Sequence, residues 1–390
     1  MSGSALLILL LTVAVAAVGW WAWQQSEQEQ SRPEREPDDA RVVPLLRGIN
    51  YLLSDQTDRA LQEMVQVARL RSDAIDVYMA LGEMFRGNGE IGRAVRIHQN
   101  LLARPDITPG QELEAHYALG RDFHTGGLLD RALRQYDKAL AIAPDHLPSL
   151  EASLRIREQG KEWLKAEELL CRIERIRGED ARFHRAFLYA EEARRCLHDE
   201  GDEAQARHFA DRAIDLDQGC ASARLVMLEL LLRRDADWPE MEGVLRGLWQ
   251  HCPHHAMEAV PLLLRQERHR EEIESFLLAV WRARRDEGMM LTWLEQLHEA
   301  GRDDDLRRLI GAVGFVPDSL RGDLRLLALG CGAAGSDVPD GRLVARARRW
   351  RQQVKDFCCS ECGVEVREMR WQCPQCHQWG TMRPIQVVRL

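Results

Sequence analysis

The chain has 390 residues, 45% apolar and 29% charged. That composition excludes a disordered chain, because so much apolar surface drives collapse, and the length excludes a small disulfide-stapled module. The net charge of −9 is unevenly spread: −4 over residues 24–40, −11 over 41–341 and +6 over 342–390. The acidic body is a poor nucleic-acid ligand, since phosphate neutralisation needs clustered positive charge.

Residues 5–23, ALLILLLTVAVAAVGWWAW, carry no charge over nineteen positions. As a helix they span roughly 28 Å, close to the thickness of a bilayer's hydrocarbon core. Trp20, Trp21 and Trp23 stand at the C-terminal end, where amphipathic rings favour the headgroup layer. A cleavable signal peptide is the competing reading, but the segment lacks a basic leader and its apolar run is too long. Residues 1–23 therefore read as a transmembrane anchor. Arg32, Arg35 and Arg41 follow it, which places the bulk of the chain on the cytoplasmic side of a single-pass membrane protein. Residues 24–40 are polar and proline-bearing and read as a linker.

The body repeats. A small residue behind a polar turn recurs at Ala60, Ala94, Ala132, Ala166 and Ala206, with spacings of 34, 38, 34 and 40 residues. Leu81-Gly82 with Phe85, and Leu119-Gly120 with Phe123, open successive units, and Gly48 lies 34 residues before Gly82. The second unit closes with Ala132, Tyr136, Ala139 and Pro144. This is the tetratricopeptide pattern: small residues let two helices approach, large ones fill the gaps, and no pair can bury its apolar face alone. The expected fold is therefore an all-α tetratricopeptide-repeat solenoid over residues 42–178. Divergent helical repeats follow over 179–341, where Trp238, Trp249, Trp281 and Trp293 mark apolar helical faces. Repeat solenoids bind polypeptides on their inner faces. In standard repeat geometry the inner-face positions include Glu83, Arg86, Arg121 and His124, a candidate partner surface.

A basic helix is expected over 342–356. Its Arg346, Arg348, Arg349 and Arg351 could meet nucleic acid or anionic lipid, and docking on the acidic body is the preferred reading. Residues 357–390 hold Cys359-Ser-Glu-Cys362 and Cys373-Pro-Gln-Cys376. Two CxxC knuckles complete a tetrahedron of thiolates around one ion, iron or zinc, with no open position for catalysis. Val364, Val366, Trp371 and Trp379 suit short β-hairpins covering such a site, whose folding energy comes largely from the metal. Cys358 is read as a spare, and the remaining cysteines as apolar packing. His251, Cys252, His254 and His255 read as an ordinary turn rather than a second metal site. No segment carries a nucleophile elbow, phosphate loop or metalloprotease helix motif, so the chain reads as non-enzymatic.

An anchor, a tetratricopeptide array and a tetrathiolate ribbon, in that order, resemble the lipopolysaccharide assembly protein B family of Gram-negative inner membranes. The likeness is sharpest in GINYLLSD (48–55), LGEMFRGNGEIGRAVRIHQNLL (81–102), LGRDFHTGGLLDRA (119–132) and MRWQCPQCHQWGTMRPI (369–385). It implies a rubredoxin-like tail with Cys359, Cys362, Cys373 and Cys376 as metal ligands. It also implies a regulator of lipopolysaccharide synthesis that works with a membrane AAA+ zinc protease against the deacetylase of the lipid A pathway, and with other envelope assembly and signalling proteins. Rubredoxin knuckles often place glycine after each second cysteine. Gly363 fits and His377 departs, which weakens the alternative of iron-based electron transfer. A nucleic-acid-binding ribbon is the other alternative.

Overall fold

A computed structural model describes residues 75–332 and 340–385, together with Trp20, Tyr51 and Arg59. Apart from those three residues, the anchor, the linker and the first repeat around Gly48 lie outside the described residues, as do residues 333–339 before the basic helix. Among the described residues no helix is long and apolar enough to cross a membrane. The chain divides into two compact units, residues 1–149 and 150–390.

The described part of the first unit consists of helix pairs: α1 (Ile75–Gly87) with α2 (Ile91–Leu102), and α3 (Pro109–Thr125) with α4 (Leu129–Ile142). Helix α3 starts at a capping box. Thr108 accepts from the Gln111 backbone N–H, Gln111 reaches back to Thr108, and Pro109 opens the first turn, so three of the helix's orphan donor positions are dealt with locally. Ala94 and Ala132 are fully buried, as the repeat pattern requires. The glycines explain the close approach. A Cβ on Gly82 would stand 2.3 Å from the His98 ring, and one on Gly120 would stand 2.4 Å from the Tyr136 ring. Both rings lie sixteen residues after their glycine, so His98 and Tyr136 are one repeat position filled two ways. His98 adds a polar bond: its Nδ1 lies 2.5 Å from Asp122 Oδ2 with both side chains fully buried, and Arg86 donates to the other Asp122 oxygen at 2.9 Å.

Helix α5 (Leu147–Gln159) runs into the second unit, which continues through α6 (Trp163–Arg177), α7 (Arg182–Arg195), α8 (Glu203–Leu216), α9 (Ala221–Arg233) and α10 (Trp238–His251). Ala166 and Ala206 are again fully buried. Ala193, Cys196, Leu197, Ala206, Ala210, Val226, Met227 and Leu230 form one core cluster across α7, the π-helical turn Cys196–Glu200 that follows it, α8 and α9. Beyond α10 the pairing becomes irregular. A short turn of 3₁₀-helix, Ala256–Ala259, leads into α11 (Val260–Leu263), then α12 (Arg270–Arg284), α13 (Glu287–Glu299), α14 (Asp303–Val313) and α15 (Leu320–Ala328). Aromatic pairs hold this part: Trp249 with Phe276 and Trp281 with Phe315, each with centroids 5.5 Å apart and edge to face, an arrangement favoured by the ring quadrupoles.

The basic helix forms as α16 (Gly341–Gln353), capped by Asp340. It docks through Ala347, which is buried, through Arg348, which donates to the Ala328 carbonyl, and through Arg351, which bridges Glu295 and Asp356. Arg346 and Arg349 remain exposed. The chain ends its described part in a three-stranded antiparallel sheet, β1 (Phe357–Cys359), β2 (Glu365–Val366) and β3 (Met382–Pro384), in the order β2-β1-β3.

Candidate metal centre

Strand β1 is read alternately by the two faces of its sheet: Phe357 and Cys359 are buried and Cys358 is only partly so. Period-two alternation therefore decides between the adjacent cysteines. Cys359 points into the site, while the Cys358 sulfur turns to the Gly363 carbonyl at 3.6 Å. Each knuckle then closes with the same turn. Gly363 N–H donates to the Cys359 carbonyl at 3.0 Å, and His377 N–H donates to the Cys373 carbonyl at 3.1 Å.

These turns bring together the four residues expected from the spacing, Cys359, Cys362, Cys373 and Cys376, with all four sulfurs within 4.8 Å of one another. Cys359 and Cys376 stand 3.6 Å apart, as do Cys362 and Cys373. A tetrahedral ion bound at about 2.3 Å by each sulfur needs them about 3.8 Å apart, so the donor set fits one metal ion. Four thiolates complete its shell, which suits a structural zinc or an iron centre. Burial opposes ionisation of Cys359. Thr381 Oγ1, 3.3 Å from its sulfur, and the backbone N–H groups of Cys362 and Glu361 outweigh that burial and draw the thiol down to about 6, toward the thiolate a metal takes.

Several cysteines away from the site sit in apolar surroundings. Burial pushes Cys171, Cys196 and Cys252 up to about 11 and Cys220 to about 12, so they remain thiols and pack as apolar groups. The segment from His251 to His255 is a turn, with His251 and His254 exposed and Cys252 and His255 buried. Among the described residues no histidine, cysteine or acid group besides the four ligands gathers into a metal-sized cluster.

Val364 and Val366 cover the thiolates together with Phe357, Met369 and Met382. The two tryptophans do something else: they leave the ribbon and pack on helices. Trp379 stacks on Phe187 of α7 at 5.8 Å and meets Trp163 of α6 edge to face at 5.9 Å, and Trp371 lies 6.2 Å from Phe187. Gly380 is the reason the sheet can come so close, because a Cβ there would stand 2.8 Å from Phe183 and 2.9 Å from Phe187. Glu158 of α5 is buried beneath this contact. Its Oε1 accepts from Trp379 Nε1 at 3.2 Å and lies 2.5 Å from His184 Nε2, while Oε2 accepts from Gln372 at 3.2 Å. On the far side His255 Nε2 donates to the Met382 carbonyl at 2.8 Å. Burial, with the Arg383 cation beside it, holds that imidazole down to about 4 and therefore neutral.

Glu158, His184, Phe187 and His255 have no local motif, and the reading from spacing missed them. The usable signal was the ribbon's own surplus: two tryptophans are more than a 34-residue metal module can bury.

Of the four inner-face positions, Glu83 and Arg121 are exposed and pair at 3.2 Å. Arg86 is almost buried, bound to Asp122 and to Glu83, and His124 is half-buried.

Helix pairs in tetratricopeptide register, with a tetrathiolate ribbon docked on the later helices, define the class: a repeat solenoid with an attached metal ribbon. Residues 357–384 match the rubredoxin metal binding domain family. Over 358 residues the chain is 25% identical to lipopolysaccharide assembly protein B of Haemophilus influenzae, covering 87% of this chain and 88% of that protein. It is 24% identical over 351 residues to the protein of the same name in Escherichia coli, with the same coverage. Similar solved structures include a tetratricopeptide repeat protein from Parabacteroides merdae, at 9% identity, TM-score 0.36, covering 80% of this chain and 98% of that one. Another is the Naa15/Naa10 complex bound to HypK, at 14% identity, TM-score 0.42, covering 80% and 46%.

Proposed function

We propose that this chain is a membrane-anchored, non-enzymatic adaptor that regulates lipopolysaccharide assembly. The reading is carried by one observation: the similarity to lipopolysaccharide assembly protein B runs through 87% of the chain, solenoid and ribbon together. In this reading residues 1–23 hold the chain in the inner membrane, with the bulk of it in the cytoplasm. The solenoid and ribbon present the lipid A pathway deacetylase to a membrane AAA+ zinc protease. Anchoring the adaptor beside a membrane protease raises local concentration, so modest contacts suffice. Glu83, Arg121 and His124 serve as contact positions on the first unit, with Arg86 holding Glu83 in place. Other envelope assembly proteins would use the same solenoid.

The deciding experiment is the half-life of the deacetylase in host cells, with and without this chain, after protein synthesis is blocked. Persistence of the deacetylase on depletion supports the adaptor. An unchanged half-life removes the protease role and leaves a scaffold for envelope assembly, to be mapped by crosslinking.

A further inference from the structure

A cleft of about 640 Å³ opens in the second unit between the ribbon and the late helices. Its size is that of a ligand pocket. Its apolar lining includes Met257, Pro261, Leu291, Phe357 and Ile385. The rest of the lining is heavily charged, and nearly every charge there is already used. Arg325 and Arg351 hold Glu295, and Arg321 and Arg351 hold Asp356. Glu287 accepts from the Asp318 backbone and the Ser319 hydroxyl, and Asp286 caps α13. Arg284 donates to the Trp249 carbonyl, and Arg285 lies over the Trp281 ring at 5.3 Å. Arg285 keeps its hydrogen-bond donors, while the other four arginines that line the cleft are held by protein acceptors.

Among the acids of the lining, Glu258 stands apart. Its half-buried carboxyl lines the cleft and makes no hydrogen bond or ion pair among the described residues. Burial, with the Asp356 charge adding to it, raises this acid to about 7. A carboxylate partly withdrawn from water with no donor facing it destabilises the fold, and such unpaired groups belong where a ligand completes them. Two exposed apolar side chains next to the lining in sequence add a second cue. Val316 and Leu320 are 57% and 65% exposed on either side of Asp318 and Ser319, which line the cleft.

We propose that this cleft docks an extended segment of a partner protein. It takes one lysine or arginine whose cation meets Glu258 and whose methylene stem lies along Met257, Pro261 and Phe357, with apolar neighbours of that residue on Val316 and Leu320. The charge complement selects a cation. Those two exposed apolar side chains select a polypeptide over a free amine. The inference rests on the adaptor reading only in taking a polypeptide as ligand, and its test uses no envelope readout, so the two fail separately.

The full chain in detergent micelles is panned against a phage-displayed heptapeptide library, beside its Glu258→Gln variant. The wild type should enrich lysine or arginine flanked by apolar residues. Glu258→Gln should lose that enrichment at least tenfold while keeping or raising the thermal midpoint, because a neutral amide is easier to bury. Absence of basic enrichment, or equal enrichment in the variant, overturns the proposal. So does a fall of several degrees in the midpoint, which would give Glu258 an internal structural partner. A chain ending at Ile385 is panned in parallel. Enrichment only with that chain would mean that residues 386–390, QVVRL, fill the cleft, and the partner reading falls.

Discussion

His377 takes at the second knuckle the backbone conformation that Gly363 takes at the first: φ is 58° for the histidine and 74° for the glycine. The left-handed region costs a residue with a Cβ about 1 kcal/mol and glycine almost nothing. The two knuckles are thus equivalent in shape and unequal in strain. Gly363→Ala should weaken the first knuckle by about 1 kcal/mol, roughly fivefold in metal retention, whereas His377→Gly should leave retention equal or improved. Metal transfer to a colorimetric chelator measures both. Faster release from His377→Gly would mean that the imidazole itself supports the site.

Removing the metal should do more than empty the ribbon. A sheet of eight strand residues has little core of its own, so Cys359→Ser with Cys362→Ser should unfold residues 357–384 and release Trp371 and Trp379 from the helices. Hydrogen exchange across α5, α6 and α7 gives the readout, with lost protection around Phe187 expected. Unchanged protection there would show a ribbon that stays docked without its ion.

Glu158 holds three donors under the docked ribbon. Glu158→Ala should cost about 3 kcal/mol, since it strands the buried Trp379 indole N–H and takes the carboxylate from His184, while Gln372 keeps the His377 carbonyl. Trp379→Ala should cost a similar 3–5 kcal/mol by cavity formation. The two substitutions share a contact, so the double variant should lose less than their sum. Strict additivity in urea unfolding would argue against a single docking unit.

The pH dependence follows from His255. Its folded value, about 4, lies below the 6.5 of an exposed imidazole, so between those limits the unfolded chain binds the proton more readily. His255 therefore contributes stability that is fully present above pH 6.5 and lost as pH falls toward 4, at most roughly 3 kcal/mol. Thiolate protonation adds to acid instability in both proteins. The check is consequently the difference in slope between wild type and His255→Gln, which keeps a donor for the Met382 carbonyl. Parallel slopes from pH 7.5 to 4.5 would reject the assignment.

In the first unit, Asp122→Ala should be severely destabilising, about 3–5 kcal/mol, because it leaves the fully buried His98 without its acceptor and strips Arg86 of its buried carboxylate, with only Glu83 and the Ala118 carbonyl remaining to it. Asp122→Asn, which keeps one acceptor oxygen, should cost less. Thermal unfolding of both variants ranks them, and equal losses would show that the negative charge rather than the hydrogen bond matters there.

The sequence announced what is periodic or locally spaced. Ala94, Ala132, Ala166 and Ala206 stand out because helix packing admits nothing larger there, and four cysteines in two CxxC pairs fix their own geometry. Cys359 rather than Cys358 follows from the gap length and is reproduced by strand alternation. What was not legible is long-range: Glu158 is an unremarkable acid on an amphipathic helix until a tryptophan more than two hundred residues away arrives above it. Trp371 and Trp379 suit a cover over the metal only while the ribbon is considered without the helices it packs on. The polar pair His98 and Asp122 was hidden for a related reason, since a histidine stands where the next repeat has a tyrosine.

The bond between Trp379 and Glu158 spans 221 residues, and this sets an order of events during synthesis. At about 5–20 residues per second, the ribosome needs roughly 10 to 40 seconds after making Glu158 before it makes Trp379. For most of that interval, once Phe187 has been made, the Phe183 and Phe187 surface has been translated and its cover has not. A nascent chain in that state shows an oily face with a buried-type acid beside it, a surface suited to chaperones and proteases alike. Maturation of this protein is complete only when its last segment has captured a metal ion and closed back on helices made long before, so metal supply would govern how much of it survives to work.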